Sequence, residues 1–224
     1  MGLAVAASAR PSEALEALAE ASNRVTAIPV DVVDPAAMAT AVESIESQLG
    51  PIDLAILSAG IWQPMSAKDY VGATAHAAMA VNYGGVVNAL DALLPRMIAR
   101  KSGHIVLFAS ISGYRGFPRG AACAPSKAAV ISLAESLKLS LEPLGISISV
   151  VNTGFVDTPS SRSNPFPMPF MLTAEAAAAR IIRGIERRRF EIAFPWRMIL
   201  LVKLARLLPY RLYFWLLRQS IMRL

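Results

Sequence analysis

Small and polar residues collect at five points along the chain, each just after a short apolar run. They are Arg10, Asp31, Ser58-Ala59-Gly60, Ser110 and Asn152-Thr153-Gly154. Hydroxyls, an amide, a carboxylate and a guanidinium at such places supply hydrogen bonds and charge for holding a polar ligand, and packing alone does not require them. Metal chemistry is not expected. The single cysteine, Cys123, leaves no partner for an intramolecular disulfide or a cysteine zinc site, and His76 and His104 stand far apart without ligand spacing.

The elements that must position these residues follow from periodicity. Apolar runs at 3–7, 25–30, 52–57, 103–108 and 146–151 read as buried strands. Amphipathic stretches at 13–21, 34–50, 74–100, 124–144 and 173–189 read as helices. Asp34 is the expected N-cap of the second helix, with Pro35 at its first position. Continuous apolar strands separated by helices predict an α/β fold, a doubly wound parallel sheet covered on both faces. In such sheets a ligand lies beyond the carboxyl ends of the strands, where the five polar points fall. A hydrophobic fraction of 54% against 17% charged residues excludes a disordered chain, and 224 residues suit one domain.

This ordered set resembles the short-chain dehydrogenase/reductase family, from Gly2 to about Glu191. Ser58-Ala59-Gly60 looks like its Asn-Ala-Gly turn, and Asn82 like its helix asparagine. Ser110 is followed thirteen residues later by Cys123-x-x-x-Lys127, where the family has Tyr-x-x-x-Lys. Asn152-Thr153-Gly154-Phe155-Val156-Asp157-Thr158 looks like its Pro-Gly segment. The resemblance implies a Rossmann-like fold and hydride transfer between a nicotinamide and a carbonyl or alcohol carbon. It gives Ser110 the substrate oxygen, Lys127 the nicotinamide ribose and the acidification of its neighbour, and Asn82 an ordered water. Asp31 and Val32 would line the adenine. Ser58, Ala59 and Gly60 belong with the cofactor, and Gly154, Val156 and Thr158 meet the carboxamide. Arg10 suits a 2′-phosphate, so NADP is favoured over NAD. A homo-oligomer is expected on the same ground.

Two departures from the family pattern matter most. No strand with a Gly-rich turn and helix precedes Gly2, so the fold is expected to lack its first strand and helix, leaving a gap beside the run at 3–7. Cys123 stands in the tyrosine slot. Beside Lys127 a thiol is acidic enough, with an ordinary pKa of about 8.5, but it reaches several ångström less far than a phenol. Tyr114 is the substitute acid to consider. Weak cofactor binding and slow turnover are expected, and the alternative reading is an inactive binding or scaffold protein of the same fold.

Charge separates body from tail. Residues 1–179 carry a net charge of −3 and residues 180–224 a net of +9. The boundary is set after Glu191, with 192–224 as a basic, aromatic tail. Charges at Lys203, Arg206 and Arg211 and a break at Pro209 argue against a spanning helix and for two short amphipathic ones. These either lie on an anionic membrane surface, fold back over the substrate cleft or form an oligomer contact. The apolar loop at 164–170 and this tail predict a lipophilic substrate. No nucleic-acid motif accompanies the charge, so no nucleic-acid partner is expected. The start shows neither secretory leader nor myristoylation pattern, so a cytoplasmic place, with the option of peripheral membrane attachment, is expected.

Overall fold

The structure is a computed structural model that describes residues 3–162 and 167–221. Its strands are β1 (Val5–Ala7), β2 (Val25–Ala27), β3 (Leu54–Leu57), β4 (Gly103–Phe108), β5 (Ile146–Thr153) and β6 (Glu191–Phe194). Between them run α1 (Glu13–Glu20), α2 (Pro35–Leu49), α3 (Gly72–Met79), α4 (Gly85–Arg100), α5 (Cys123–Leu141), the single turn α6 (Pro159–Arg162) and α7 (Ala174–Glu186). Two further helices, α8 (Trp196–Leu207) and α9 (Tyr210–Ile221), close the chain. Helix starts follow the expected chemistry. Asp34 accepts from the backbone N–H of Ala36 and Ala37, with Pro35 behind it, and Thr173 accepts from Ala176.

All strand pairs are parallel, but the strands form two sheets. One is β1-β2, the other β3-β4-β5-β6. β1 and β3 are each paired on one edge only among the described residues. Val5 in β1 and Leu54 and Ile56 in β3 are exposed, although such residues belong in a sheet interior. β1 and β3 are thus edge strands of two separate sheets among the described residues. The two sheets share a core through helices. Val30 and Met38 cluster with Leu90 and Leu93, and Glu46 of α2 pairs with Arg96 and Arg100 of α4 at 3.2 and 3.1 Å. Gly85 lets Val32 approach α4: a Cβ there would meet Val32 Cγ2 at 2.6 Å.

Within the larger sheet the central strands are fully buried, Ile105 and Leu107 facing α4 and α5, Val106 facing α7. The helical stretch Gly72–Arg100 is long and apolar enough to cross a membrane by length and composition. Its Val86, Leu90, Leu93 and Met97 instead form the core beneath β3 and β4. β6 was not legible in advance and extends the sheet by pairing Val150 with Glu191 and Thr153 with Phe194. The boundary drawn after Glu191 falls inside this strand. Ile199 of α8 then joins the main core, so the segment beyond it packs on the sheet.

Candidate active site

The carboxyl ends of β3, β4 and β5 open into a cavity of about 610 Å³. Its polar floor contains Ser58, Gly60, Ser110, Cys123, Lys127 and Thr158. Gly154 and Val156 complete one wall, while Trp62, Phe117 and residues of α8 and α9 supply most of the apolar remainder.

Helix geometry places Asn82 behind the floor, against Ile61 and Cys123 that line it. A π-helical turn, Ala80–Gly84, interrupts the passage from α3 to α4 and holds Asn82 fully buried. Its Oδ1 accepts from Ile61 N at 2.7 Å. Its Nδ2 donates to Ile61 O at 3.1 Å and to Ser126 Oγ at 3.0 Å, with Cys123 Sγ at 3.7 Å. The turn after β3 is thereby pinned to α5. Gly60 permits the approach, since a Cβ there would meet Asn82 Oδ1 at 3.1 Å and Lys127 Nζ at 3.5 Å.

Cys123 and Lys127 lie one helical turn apart at the start of α5, both buried. Lys127 Nζ donates to Phe108 O at 2.7 Å, at the end of β4. Burial pushes its ammonium below the usual lysine range, against a pull from Cys123. The same burial pushes the Cys123 thiol up, against the smaller effect of the Lys127 charge and hydrogen bonds from Ser126 and Asn82. The thiol is therefore neutral near pH 7. Ser110 caps the turn that follows β4, accepting from Ser112 N at 3.2 Å, and its Oγ donates to Thr153 O at 3.4 Å.

Tyr114 does not serve as the acid considered above. Its hydroxyl donates to Glu191 Oε1, away from the cavity, and burial followed by the Glu191 carboxylate raises its pKa far beyond the ordinary phenol range. Glu191 also accepts from Asn152 Nδ2 at 3.2 Å and pairs with Lys203 of α8. This cluster escaped the sequence reading. The available signal was that Glu191 is one of only two acids among residues 180–224. Burial alone would raise the Glu191 pKa, but bonds from Lys203 and Tyr114 outweigh it and hold the carboxylate below its usual range. The anchoring it gives α8 is thus full above the unfolded value near 4.5 and drains away as pH falls through the lower folded value. Acid titration below the ordinary glutamate range is expected to loosen α8, read as a rise in proteolysis near Pro195. The Glu191→Gln chain should lose this transition.

The residues expected at the adenosine end do not line the cavity. Arg10 follows β1 and is exposed. Asp31 follows the β2 region and its Oδ1 accepts from Val33 N at 3.1 Å, while the Val32 carbonyl accepts from Asn88 Nδ2 at 2.9 Å. Ala59 lies exposed between Ser58 and Gly60. No group of three or more metal-ligating side chains occurs among the described residues.

The sequence profile of the family described as short chain dehydrogenase matches residues 1–165. The chain belongs to that family. An oxidoreductase of Myxococcus xanthus is 32% identical over 216 residues, covering 95% of this chain and 85% of the relative. The oxidoreductase UcpA of Escherichia coli K12 is 35% identical over 162 residues, covering 70% of this chain and 62% of its own length. A solved short-chain dehydrogenase from Streptomyces avermitilis superposes with a TM-score of 0.75 at 23% identity, over 88% of this chain and 81% of that one, and it shares the fold.

Short-chain dehydrogenases are oxidoreductases that use a nicotinamide dinucleotide, NAD or NADP, and act on small molecules. The residues here fit such a group unequally. Gly60, Lys127 and the cavity floor form a cradle suited to the nicotinamide end, which a Cβ at Gly60 would crowd. Arg10, Asp31 and Val32 would offer charge and surface to the adenosine end, and they follow β1 and β2 of the smaller sheet.

Proposed function

We propose that this short-chain dehydrogenase transfers hydride between NADP and a lipophilic carbonyl or alcohol compound. The observation that carries the reading is the cavity itself: a small polar floor under tall apolar walls. Ser110 binds the substrate oxygen, Lys127 holds the nicotinamide ribose, and Asn82 fixes the floor and orders water beside Lys127. Cys123 occupies the position of the proton-transferring group. Gly154, Val156 and Thr158 meet the carboxamide, Ser58, Ala59 and Gly60 flank the ring, and Asp31 and Val32 line the adenine. Arg10 favours NADP through its cation, which complements a 2′-phosphate. The protein works in the cytoplasm, attached peripherally to anionic membrane through its basic tail, and assembles from identical copies as the family commonly does.

The buried, neutral Cys123 favours a second reading, a binding or scaffold protein that holds the same lipophilic compounds without turnover. Oxidation of NADPH in the presence of a bound ketone separates the two. The shared part is tested by Trp62, which lines the cavity. In a chain with Trp196 and Trp215 replaced by Phe, methyl ketones of increasing length should quench Trp62 with rising affinity. Each methylene added within the cavity is worth about 0.8 kcal/mol, or about fourfold. An affinity that does not change with chain length would defeat the lipophilic assignment.

A further inference from the structure

We infer that helices α8 and α9 are a bilayer-side door to the cavity: their outer face lies on an anionic lipid surface, and a lipophilic ligand enters from the acyl chains past Leu201. The inference rests on the lipophilic reading of the cavity. Helix α8 has two apolar faces of different fate. Met198 and Ile199 are buried, the latter in the main core. Trp196, Leu200, Leu204 and Leu207, spaced by four, four and three, form a stripe on the other side that is 69%, 50%, 53% and 80% exposed. Helix α9 repeats the pattern. Tyr213 is buried, its hydroxyl donating to Gly116 O, while Leu212, Phe214 and Trp215 face outward between Arg211 and Arg218. Exposed apolar side chains in this number on two successive helices mark a partner or a membrane rather than open water.

Charge decides which occupant. Residues 196–224 contain six Lys and Arg and no Asp or Glu. A second copy of this chain would set those cations against one another, whereas anionic headgroups neutralise them. Aromatic rings beside basic residues suit the headgroup–acyl boundary. The cavity reaches the same surface. Leu201 is 61% exposed and yet lines the cavity, as do Val202 and Ala205 on the inner side of α8. One helix thus separates lipid from cavity, and Leu201 stands at its rim.

Arg115 holds the door in place. From the loop after β4, its Nη1 donates to the carbonyls of Ala205, Arg206 at 3.1 Å and Leu208 at 2.9 Å, at the electronegative end of α8. Its guanidinium also stacks on the Tyr213 ring, 3.9 Å from the centroid. These contacts hold the C-terminal end of α8 and the start of α9 to the loop, while Ile199 anchors the other end of α8 in the core.

The test uses a long-chain methyl ketone bearing a dansyl tail, transferred to the protein from vesicles and followed by stopped-flow fluorescence. From vesicles of phosphatidylcholine with about 30 mol% phosphatidylglycerol, the transfer rate should rise with vesicle concentration and exceed that from pure phosphatidylcholine by about tenfold. The variant Leu200→Glu/Leu204→Glu should lose both vesicle pelleting and this advantage. Its affinity for a short, water-soluble ketone should not change, because neither residue lines the cavity. Rates that are equal from both vesicles and independent of their concentration would mean entry through water and overturn the door. So would a double variant that transfers like the parent, or one whose mass by light scattering falls by half, marking the stripe as a contact between copies. Failure of the probe to bind from any source would instead remove the lipophilic reading of the cavity beneath it.

Discussion

Joined ahead of Val5 to a parallel strand, a glycine-rich turn and a helix, the chain is expected to bind NADP at least about 100-fold more tightly than residues 1–224 alone. The expectation comes from what β1 and β3 lack. Among the described residues each carries hydrogen-bonding groups on one unpaired edge, and Val5, Leu54 and Ile56 expose apolar side chains that an inserted strand and its helix would cover. A helix N-terminus following that strand would present N–H groups to the pyrophosphate, between the residues proposed for the adenosine end and those proposed for the nicotinamide. Two charge-assisted hydrogen bonds at about 1.5 kcal/mol each give about 3 kcal/mol, which is about 100-fold in affinity. Calorimetric titration of both chains with NADP and NAD measures it. Low-micromolar binding by residues 1–224 alone would show that Arg10, Asp31 and the cradle suffice without the inserted segment. The extended chain should also melt at a higher temperature, because the added strand pairs two exposed edges at once.

What could be read from the sequence follows what is local. Asp34-Pro35 and Thr173 announced their helices, because a cap is settled by residues three apart. The strand ends bearing Ser58, Gly60, Ser110 and Gly154 converge on one cavity, because a parallel sheet aligns its carboxyl ends whatever lies between. The break at Pro209 separated α8 from α9 as its missing N–H requires. Contacts between distant segments were not legible. β6 is four residues long and follows a basic run, so its pairing partner, not its composition, makes it a strand. Arg115 reaches α8 across some ninety positions. Tyr114 is the instructive case. Its proximity to Ser110 in sequence suggested a role in the cavity, but the turn after β4 directs its ring toward Glu191, an acid seventy-seven positions on. Of the alternatives for the tail, membrane surface and fold-back are compatible in the structure. One face of α8 and α9 roofs the cavity, and the other remains exposed.

Replacing Cys123 with tyrosine alone should leave turnover near its starting level, whereas the same replacement in the extended chain should raise it by about 10²–10⁴-fold over the extension alone. Hydride transfer needs two things together, a positioned nicotinamide and a proton donor at the carbonyl oxygen. Cys123 and Ser110 both line the cavity, so a phenol grown from position 123 has the cavity to extend into. One helical turn away, the buried Lys127 ammonium would hold that phenol below its ordinary pKa of about 10 by favouring the phenolate. The present thiol has the same neighbour but a shorter reach, and burial keeps it protonated. The product of the single effects should fall well short of the combined one, as happens when groups act as a unit. NADPH oxidation with medium-chain ketones and aldehydes reads the four chains side by side. An added Lys127→Met change in the doubly altered chain should remove most of the gain and shift the remaining activity to higher pH, because the phenol then returns to its unassisted acidity. If the unaltered chain turns over as fast as the doubly altered one, the Cys123 thiol is itself a competent acid, and the short reach assigned to it here is bridged by an ordered water.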